Sequence, residues 1–403
     1  MKIPENRWLR AAVPALLIHC SIGSVYCWSS FSAELSQRLG VSQSAAGWAF
    51  SLAIFFLGMS AAFAGRFVER DIHRASLLSC ILFTLGMLGT GMCAALAPRI
   101  GPAASLAGLF IFYGCIMGVG LGLGYLCPVK TLMLWFSESR GLATGISIMG
   151  FGLAKAIASP IMNSLVRSTG LSGMFFILGG VYFVMTLAGH LLLKKPGDWH
   201  EEPDSRISLR EMLKSQVFVG CWLMFYLNIS CGLALISCEK SMLLTAGLSA
   251  AAISLVQALT AASNAAGRLA FSAVSDRLRD RSTVYLIIFI SSCAVCVAGY
   301  ALRAVSGGLA VLTAALLIIV NAGYGGGFST MPALLSVHFG MRNISSIYGL
   351  ILSAWAVAGL TGNQLSAIIL ARTGRLEIVL AVLAALYLAA LVVCRSMVRP
   401  QKQ

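Results

Sequence analysis

Three basic side chains stand inside long apolar runs of this 403-residue chain. They are Lys130 in YLCPVKTLMLWF (125–136), Lys155 in GISIMGFGLAKAIASPIMNSL (145–165) and Arg268 in NAAGRLAFSAV (264–274). A cation in a low-dielectric setting needs an opposing charge or a set of acceptors. The fourteen acids, Glu69, Asp276 and Glu239 among them, all fall in tails, loops or the ends of runs. Cations with no intramembrane acid to oppose them describe an anion site. A carboxylate suits both the charge and the donor fork of Arg268.

Position separates these groups. Lys155 lies 14 residues after Gly141 and 12 before Arg167, roughly 18–21 Å from either end of its run at helical rise, beyond snorkelling reach. Arg268 lies about eight residues inside its run, whereas Lys130 is five residues from Trp135 and within snorkelling reach of that end. His19 is the deep group that titrates near neutral pH, and two readings stay open for it: a hydrogen-bonded packing residue or a proton carrier. Glu239 and Lys240 adjoin at a run end and read as surface or gate residues. The aromatics Tyr26, Trp28, Tyr125, Tyr324, Phe328 and Trp355, in or near the same runs, can wall a small organic anion or simply pack.

The elements that must position these residues follow from composition. Hydrophobic residues make up 58% of the chain and charged ones 11%, against about 25% charged in soluble domains; the mean hydropathy is +0.87. Apolar runs of about twenty residues recur, long enough to cross a hydrocarbon core as helices, and the period-two alternation of a barrel is absent. The fold class is therefore an all-α polytopic membrane protein. Twelve spans are expected near 9–34, 45–65, 76–97, 105–135, 141–167, 172–193, 216–238, 249–275, 284–302, 308–336, 344–370 and 376–394. The N-terminal run continues too far for a cleaved signal peptide and reads as a retained first span. The longest polar stretch, 194–215, divides the chain into six-helix bundles at 1–193 and 216–403.

The net charge of +15 resembles a nucleic-acid signal, but topology accounts for it, and no nucleic-acid partner is expected. With both termini in the cytoplasm, nineteen Lys/Arg fall on that side, seven outside and three in spans, as the positive-inside rule requires. The expected setting is the bacterial inner membrane, with the lipid bilayer and a small organic anion as partners and the chain as a monomer. No cofactor is implied. Cys293 and Cys296 form a CxxC on an apolar helix without further ligands, so the cysteines read as small buried hydrophobes. No nucleophile or metal-ligand grouping lies in the spans, which argues against an enzyme.

The halves echo each other. GRFVERDIHR (65–74) and SAVSDRLRDR (272–281) both carry an acid at the fifth place (Glu69, Asp276) and Arg at the sixth and tenth (Arg70 and Arg74; Arg277 and Arg281). Pro128 and Pro332 sit in a second pair of matching segments. Duplication of a six-helix unit is a common transporter plan. The 65–74 loop resembles the major facilitator signature G-x-x-x-[DE]-[RK]-x-G-x-[RK]. Gly65, Glu69, Arg70 and Arg74 fit it and Ile72 replaces the second glycine; the second copy lacks both glycines. The resemblance implies a conformational latch built from these residues with Asp276, Arg277 and Arg281.

Several segments also resemble the oxalate–formate antiporter family, related to monocarboxylate transporters: GSVYCWSSF (23–31), LWFSESRGLATGISIMGFG (134–152), KKPGDW (194–199), CWLMFYLNISCGLALIS (221–237) and NAAGRLAFSAVSDRL (264–278). This implies transport of small carboxylates by alternating access. The family's span-8 arginine falls on Arg268, its tyrosines on Tyr26 and Tyr125, and its span-10 aromatic pair on Tyr324 and Phe328, the latter without a hydroxyl. The family's span-11 lysine position falls on Trp355, which weakens the case for oxalate as the particular anion. The internal repeat aligns position 355 with Phe151, and Lys155 is one turn further on. The second cation is thus expected to have moved to span 5. Because spans 5 and 8 meet at the seam in this superfamily, Lys155 and Arg268 are expected to bracket the anion. Like charges left without an anion would oppose closure of that seam, which favours exchange. Proton-coupled monocarboxylate symport is the alternative; an efflux carrier for other compounds or a non-transporting sensor is the alternative from another class.

If Lys155 meets a second carboxylate, Lys155→Gln should lower dicarboxylate uptake into proteoliposomes by about tenfold, the loss of one charged hydrogen bond, and monocarboxylate uptake far less. Equal transport of both would remove that role.

Overall fold

The computed structural model describes residues 6–197, 209–302 and 309–398; of the 194–215 linker, 198–208 lie outside the described residues. Every regular element among the described residues is helical. Lipid offers the backbone no hydrogen bonds, and a helix satisfies its own. The long helices are α1 (Trp8–Ser30), α2 (Gln43–Arg70), α3 (72–100), α4 (102–135), α5 (140–169), α6 (171–192), α7 (Gln216–Thr245), α8 (Ala250–Arg277), α9 (Ser282–Leu302), α10 (Leu309–Phe339), α11 (Ile344–Thr373) and α12 (Leu376–Met397). Among the described residues nine segments are long and apolar enough to span a membrane. Two of these hold two helices each, and α8 is the long helix outside them. Its apolar pattern is interrupted by Gln257, Asn264, Arg268, Asp276 and Arg277.

Two junctions are tighter than the apolar runs suggest. The expected break between spans 3 and 4 is a single residue, Gly101, and that between spans 5 and 6 is Gly170. Their φ angles of 80° and 74° are open to glycine at little cost. Pro102 then starts α4, where its missing N–H is no loss. The first span ends earlier than expected: its last turns, Gly23–Ser30, tighten to 3₁₀ geometry, the chain bends at Phe31, and a separate short helix, Ser32–Leu39, follows.

The chain forms two compact units. One comprises Met1–Glu202 with Arg342–Ala356; the other comprises Pro203–Met341 with Val357–Gln403. The first turns of α11 therefore pack with α1–α6, and its remainder packs with α7–α10 and α12. Within the first unit α1 packs on α5, α2 on α4 and α3 on α6. Within the second, α7 packs on α11, α8 on α10 and α9 on α12. Each pairing recurs six helices later, the structural counterpart of the sequence echoes.

Small residues set how closely these pairs approach, because dispersion between helices is what holds them in lipid. At Gly23 a Cβ would stand 2.8 Å from Ala154 Cβ and overlap the Phe151 carbonyl. The Gly/Ala face of 145–165 is thus the surface that α5 turns to α1. Gly23→Val should destabilise the protein by about 1–3 kcal/mol through overpacking, read as thermal unfolding in detergent. Gly180→Ala, where a Cβ meets nothing within 4 Å, is the control and should not destabilise.

Candidate anion-binding site

In the second unit, α8 carries Arg268 into the interior, where it is 1% exposed. A guanidinium keeps its charge in proteins and offers only donors. Its Nε–H donates to Asn264 Oδ1 at 3.0 Å, one turn earlier on the same helix. Its carbon lies 5.4 Å from the centre of the Phe328 ring on α10, within cation–π range. The Arg268 carbonyl accepts from Ser329 Oγ at 2.7 Å. Phe328 is braced by Phe225 of α7 at 5.0 Å and by Tyr324 at 5.2 Å. Two glycines allow the approach. A Cβ at Gly267 would overlap the Ala322 carbonyl, and one at Gly325 would overlap the Asn264 carbonyl.

In the first unit, α1, α4, α5 and the start of α11 bring rings together. Phe151 stands at the centre, 5.2 Å from Tyr26, 5.4 Å from Tyr125 and 6.0 Å from Trp355. Tyr348 adds a fifth ring, its hydroxyl donating to that of Tyr125 at 3.4 Å. Tyr26, Tyr125 and Trp355 are therefore assembled in one place, while Tyr324 and Phe328 belong to the second unit with Arg268. Phe151 and Tyr348 were not among the expected site residues. The alignment of positions 151 and 355 across the repeat was the signal for the first.

His19 lies beside this box, fully buried. Its Nδ1 is 2.5 Å from the Ser147 carbonyl oxygen and 3.1 Å from Ser147 Oγ, and its Nε2 is 3.2 Å from the Tyr125 carbonyl oxygen. A neutral ring donates from one nitrogen only, and Nε2–H to the Tyr125 carbonyl with Ser147 Oγ donating to Nδ1 satisfies both, a cross-link between α1, α4 and α5. A proton carrier needs an edge that can exchange with water.

Two expectations about charge are corrected. Lys130, expected as a third cation with no acid to oppose it, forms a buried ion pair with Glu69 at the end of α2. The spans bring together groups sixty-one positions apart, and no local pattern reports that. Glu69 also accepts from the backbone N–H of Ser345 in the first turn of α11, at 2.6 Å. Glu239, expected at the surface or in a gate, is buried, and its Oε1 accepts from Thr260 Oγ1 of α8 at 2.6 Å. Lys155, by contrast, is exposed: it follows Phe151 by one turn, yet its side chain leaves the packed interior of the first unit.

The two signature loops differ. Gly65 lets α2 reach the start of α11, since a Cβ there would overlap Ser346. Arg70 and Arg74 are exposed, and Arg74 pairs with Asp71 at 3.1 Å. Asp71 caps α3 by accepting the Arg74 backbone N–H at 3.0 Å, which holds its carboxyl below the usual carboxylate range. In the second loop Asp276 pairs with Arg281 at 2.7 Å, Arg277 is exposed, and Asp280 caps α9 through Ser282.

Comparison with known proteins agrees with this architecture. The oxalate:formate antiporter of Oxalobacter formigenes is 26% identical over 374 residues, covering 92% of this chain and 86% of that protein. The uncharacterized MFS-type transporter YhjX of Escherichia coli (strain K12) is 26% identical over 367 residues, covering 88% and 86%. A solved bacterial homologue of the iron transporter ferroportin, outward-facing, shares the fold with a TM-score of 0.76 at 15% identity, over 96% of this chain and 98% of that one. Residues 15–363 match the Major Facilitator Superfamily. With that match spanning most of a chain built from long apolar helices, the protein belongs to the Major Facilitator Superfamily and is a multi-pass membrane transporter.

Proposed function

We propose that the protein exchanges small carboxylate anions across a bacterial inner membrane by alternating access, as a monomer with both termini in the cytoplasm. The two six-helix bundles, 1–193 and 216–403, are the moving bodies, joined by 194–215. The observation that carries this reading is the buried Arg268 guanidinium on α8, whose Nε–H donates to Asn264 and whose carbon faces the Phe328 ring. The 26%-identical relative named for oxalate and formate supports the same substrate class. Tyr324 and Phe328 wall the arginine, and Tyr26, Tyr125 and Trp355 form an aromatic surface for the organic part of the substrate. Lys155 supplies a second cation. Exchange is favoured over proton symport because His19 is fully buried and cross-links α1 to α4 and α5 rather than facing an open edge. Uptake of labelled oxalate, formate or pyruvate into proteoliposomes should require an internal counter-anion, and Arg268→Gln should abolish it. Efficient uptake into empty vesicles that follows an imposed pH gradient would sink the exchange reading.

The latch implied by the 65–74 signature is proposed to be the Glu69, Lys130 and Ser345 cluster. A carboxylate at the start of α11 meets the positive end of the helix dipole as well as the lysine. Removing one member of a buried pair leaves an uncompensated charge, so Glu69→Gln and Lys130→Met should each destabilise by about 3–5 kcal/mol. The double variant should recover most of that loss in thermal unfolding. Strictly additive losses would show that the two groups do not act as a pair.

A further inference from the structure

Two histidines meet where α3 and α6 pack together in the first unit. His73 stands in the first turn of α3 and is exposed; His190 stands in the last turn of α6 and is half-buried. Their ring centres are 5.7 Å apart and the ring planes cross at 83°. Ser76, buried one turn into α3, joins them. Its Oγ is 3.0 Å from the His73 carbonyl oxygen and 2.8 Å from His190 Nδ1. A hydroxyl has one hydrogen, so both contacts are hydrogen bonds only when Ser76 donates to the carbonyl and His190 Nδ1–H donates to Oγ. That sets the His190 tautomer. Its lone pair then lies on Nε2, and among the described residues neither Nε2 nor the His73 ring makes a hydrogen bond. One turn deeper, Thr186 Oγ1 stands 3.1 Å from Cys80 Sγ and holds the two helices in register beneath the pair.

Two imidazoles that share one tetrahedral metal ion, each nitrogen about 2.1 Å from it, hold their ring centres about 5–6 Å apart. His73 and His190 already stand at that separation. We propose that they are the protein ligands of a site for one late transition-metal ion of the Zn²⁺ or Ni²⁺ class. Among the described residues no third His, Cys, Asp or Glu completes the group, so water fills the remaining positions. Imidazole favours such ions over Mg²⁺ and Ca²⁺, which take oxygen ligands. Ser76 orients His190 through its other ring nitrogen, as the outer partners of metal-bound histidines do. Asp71, which caps α3, lies close enough to His73 for their charges to interact, and a carboxylate there favours a cation. Its partner Arg74 is 82% exposed, so solvent screens the opposing charge. The exposed ring of His73 gives the ion a way in from water. Once bound, the ion ties the first turn of α3 to the last turn of α6. This site owes nothing to the reading of Arg268 as the carboxylate contact.

The test is thermal unfolding of the purified, tag-free full chain in detergent during titration with Zn²⁺ or Ni²⁺, with Mg²⁺ as the control. An ion that binds only the folded state raises the folding equilibrium constant about a hundredfold at a free concentration near 100 Kd. The transition should therefore climb with Zn²⁺ and Ni²⁺, stay in place with Mg²⁺ and return on adding EDTA. H73Q and H190Q should each abolish the rise, and S76A should weaken metal affinity by about tenfold. Labelling of the wild type with diethyl pyrocarbonate, read by mass spectrometry, checks the ligands without any variant: Zn²⁺ should shield His73 and His190 together. A transition that does not rise, or a rise that persists in H73Q or H190Q, overturns the proposal, as does equal labelling of the two histidines with and without Zn²⁺.

Discussion

One buried guanidinium constrains most of the second unit. An arginine at this depth in an apolar bundle costs several kcal/mol unless its donors and charge find partners. Asn264 and the Phe328 face provide them, and each makes its own demand. Phe328 can reach Arg268 only if α10 lies against α8, which Gly267 and Gly325 permit at backbone-to-backbone range. Once α10 is there, Ser329 ties it to the Arg268 carbonyl and Tyr285 ties α9 to the carbonyl of Gly327. The ring of Tyr324 then lies where α7 has Gly232. In the glycine-rich segment NAGYGGGF (321–328), Gly325 makes room for Asn264 and Arg268, while Gly323 and Gly327 admit α9 and α7.

The first unit meets the membrane differently. Its central cluster is a box of rings around Phe151, and the polar group beside it, His19, is matched by main-chain oxygens. Helix carbonyls already accept one backbone bond but keep a second lone pair, so such contacts add a cross-link without breaking the helix. The buried ion pair of this unit, Lys130 with Glu69, sits one step along α4 from the box, where Lys130 lines a small cavity with Tyr348.

The sequence was most readable where one physical variable dominates. Apolar length located the helices, and basic residues inside apolar runs led to Arg268. The breaks at 98–104 and 168–171 were expected, but not that each turns on one residue, Gly101 or Gly170, whose positive φ reverses the chain without a loop. Lys130 was misjudged for another reason: its partner Glu69 lies sixty-one positions away, and only packing brings them together. Glu239 looked superficial because it closes an apolar run next to Lys240, yet helix rotation turns it toward Thr260. Asn264 was the legible residue that was passed over. Its place four residues before Arg268 already puts the two side chains on one helix face.

The repeated loops show how far the two halves have diverged. Glu69 and Asp276 occupy the same place in the echo, but the spacing from Pro128 to Pro332 carries Lys130 onto Leu334, which is buried and apolar. Without a lysine on α10, Asp276 turns to Arg281 in its own loop, at 2.7 Å. Glu69 instead joins three helices, α2, α4 and the start of α11. A partly exposed pair within one loop contributes at most about 1 kcal/mol, whereas a buried pair loses several when one member is removed. The same motif thus ties three helices together in the first copy, while in the second its acid pairs with the arginine five positions on.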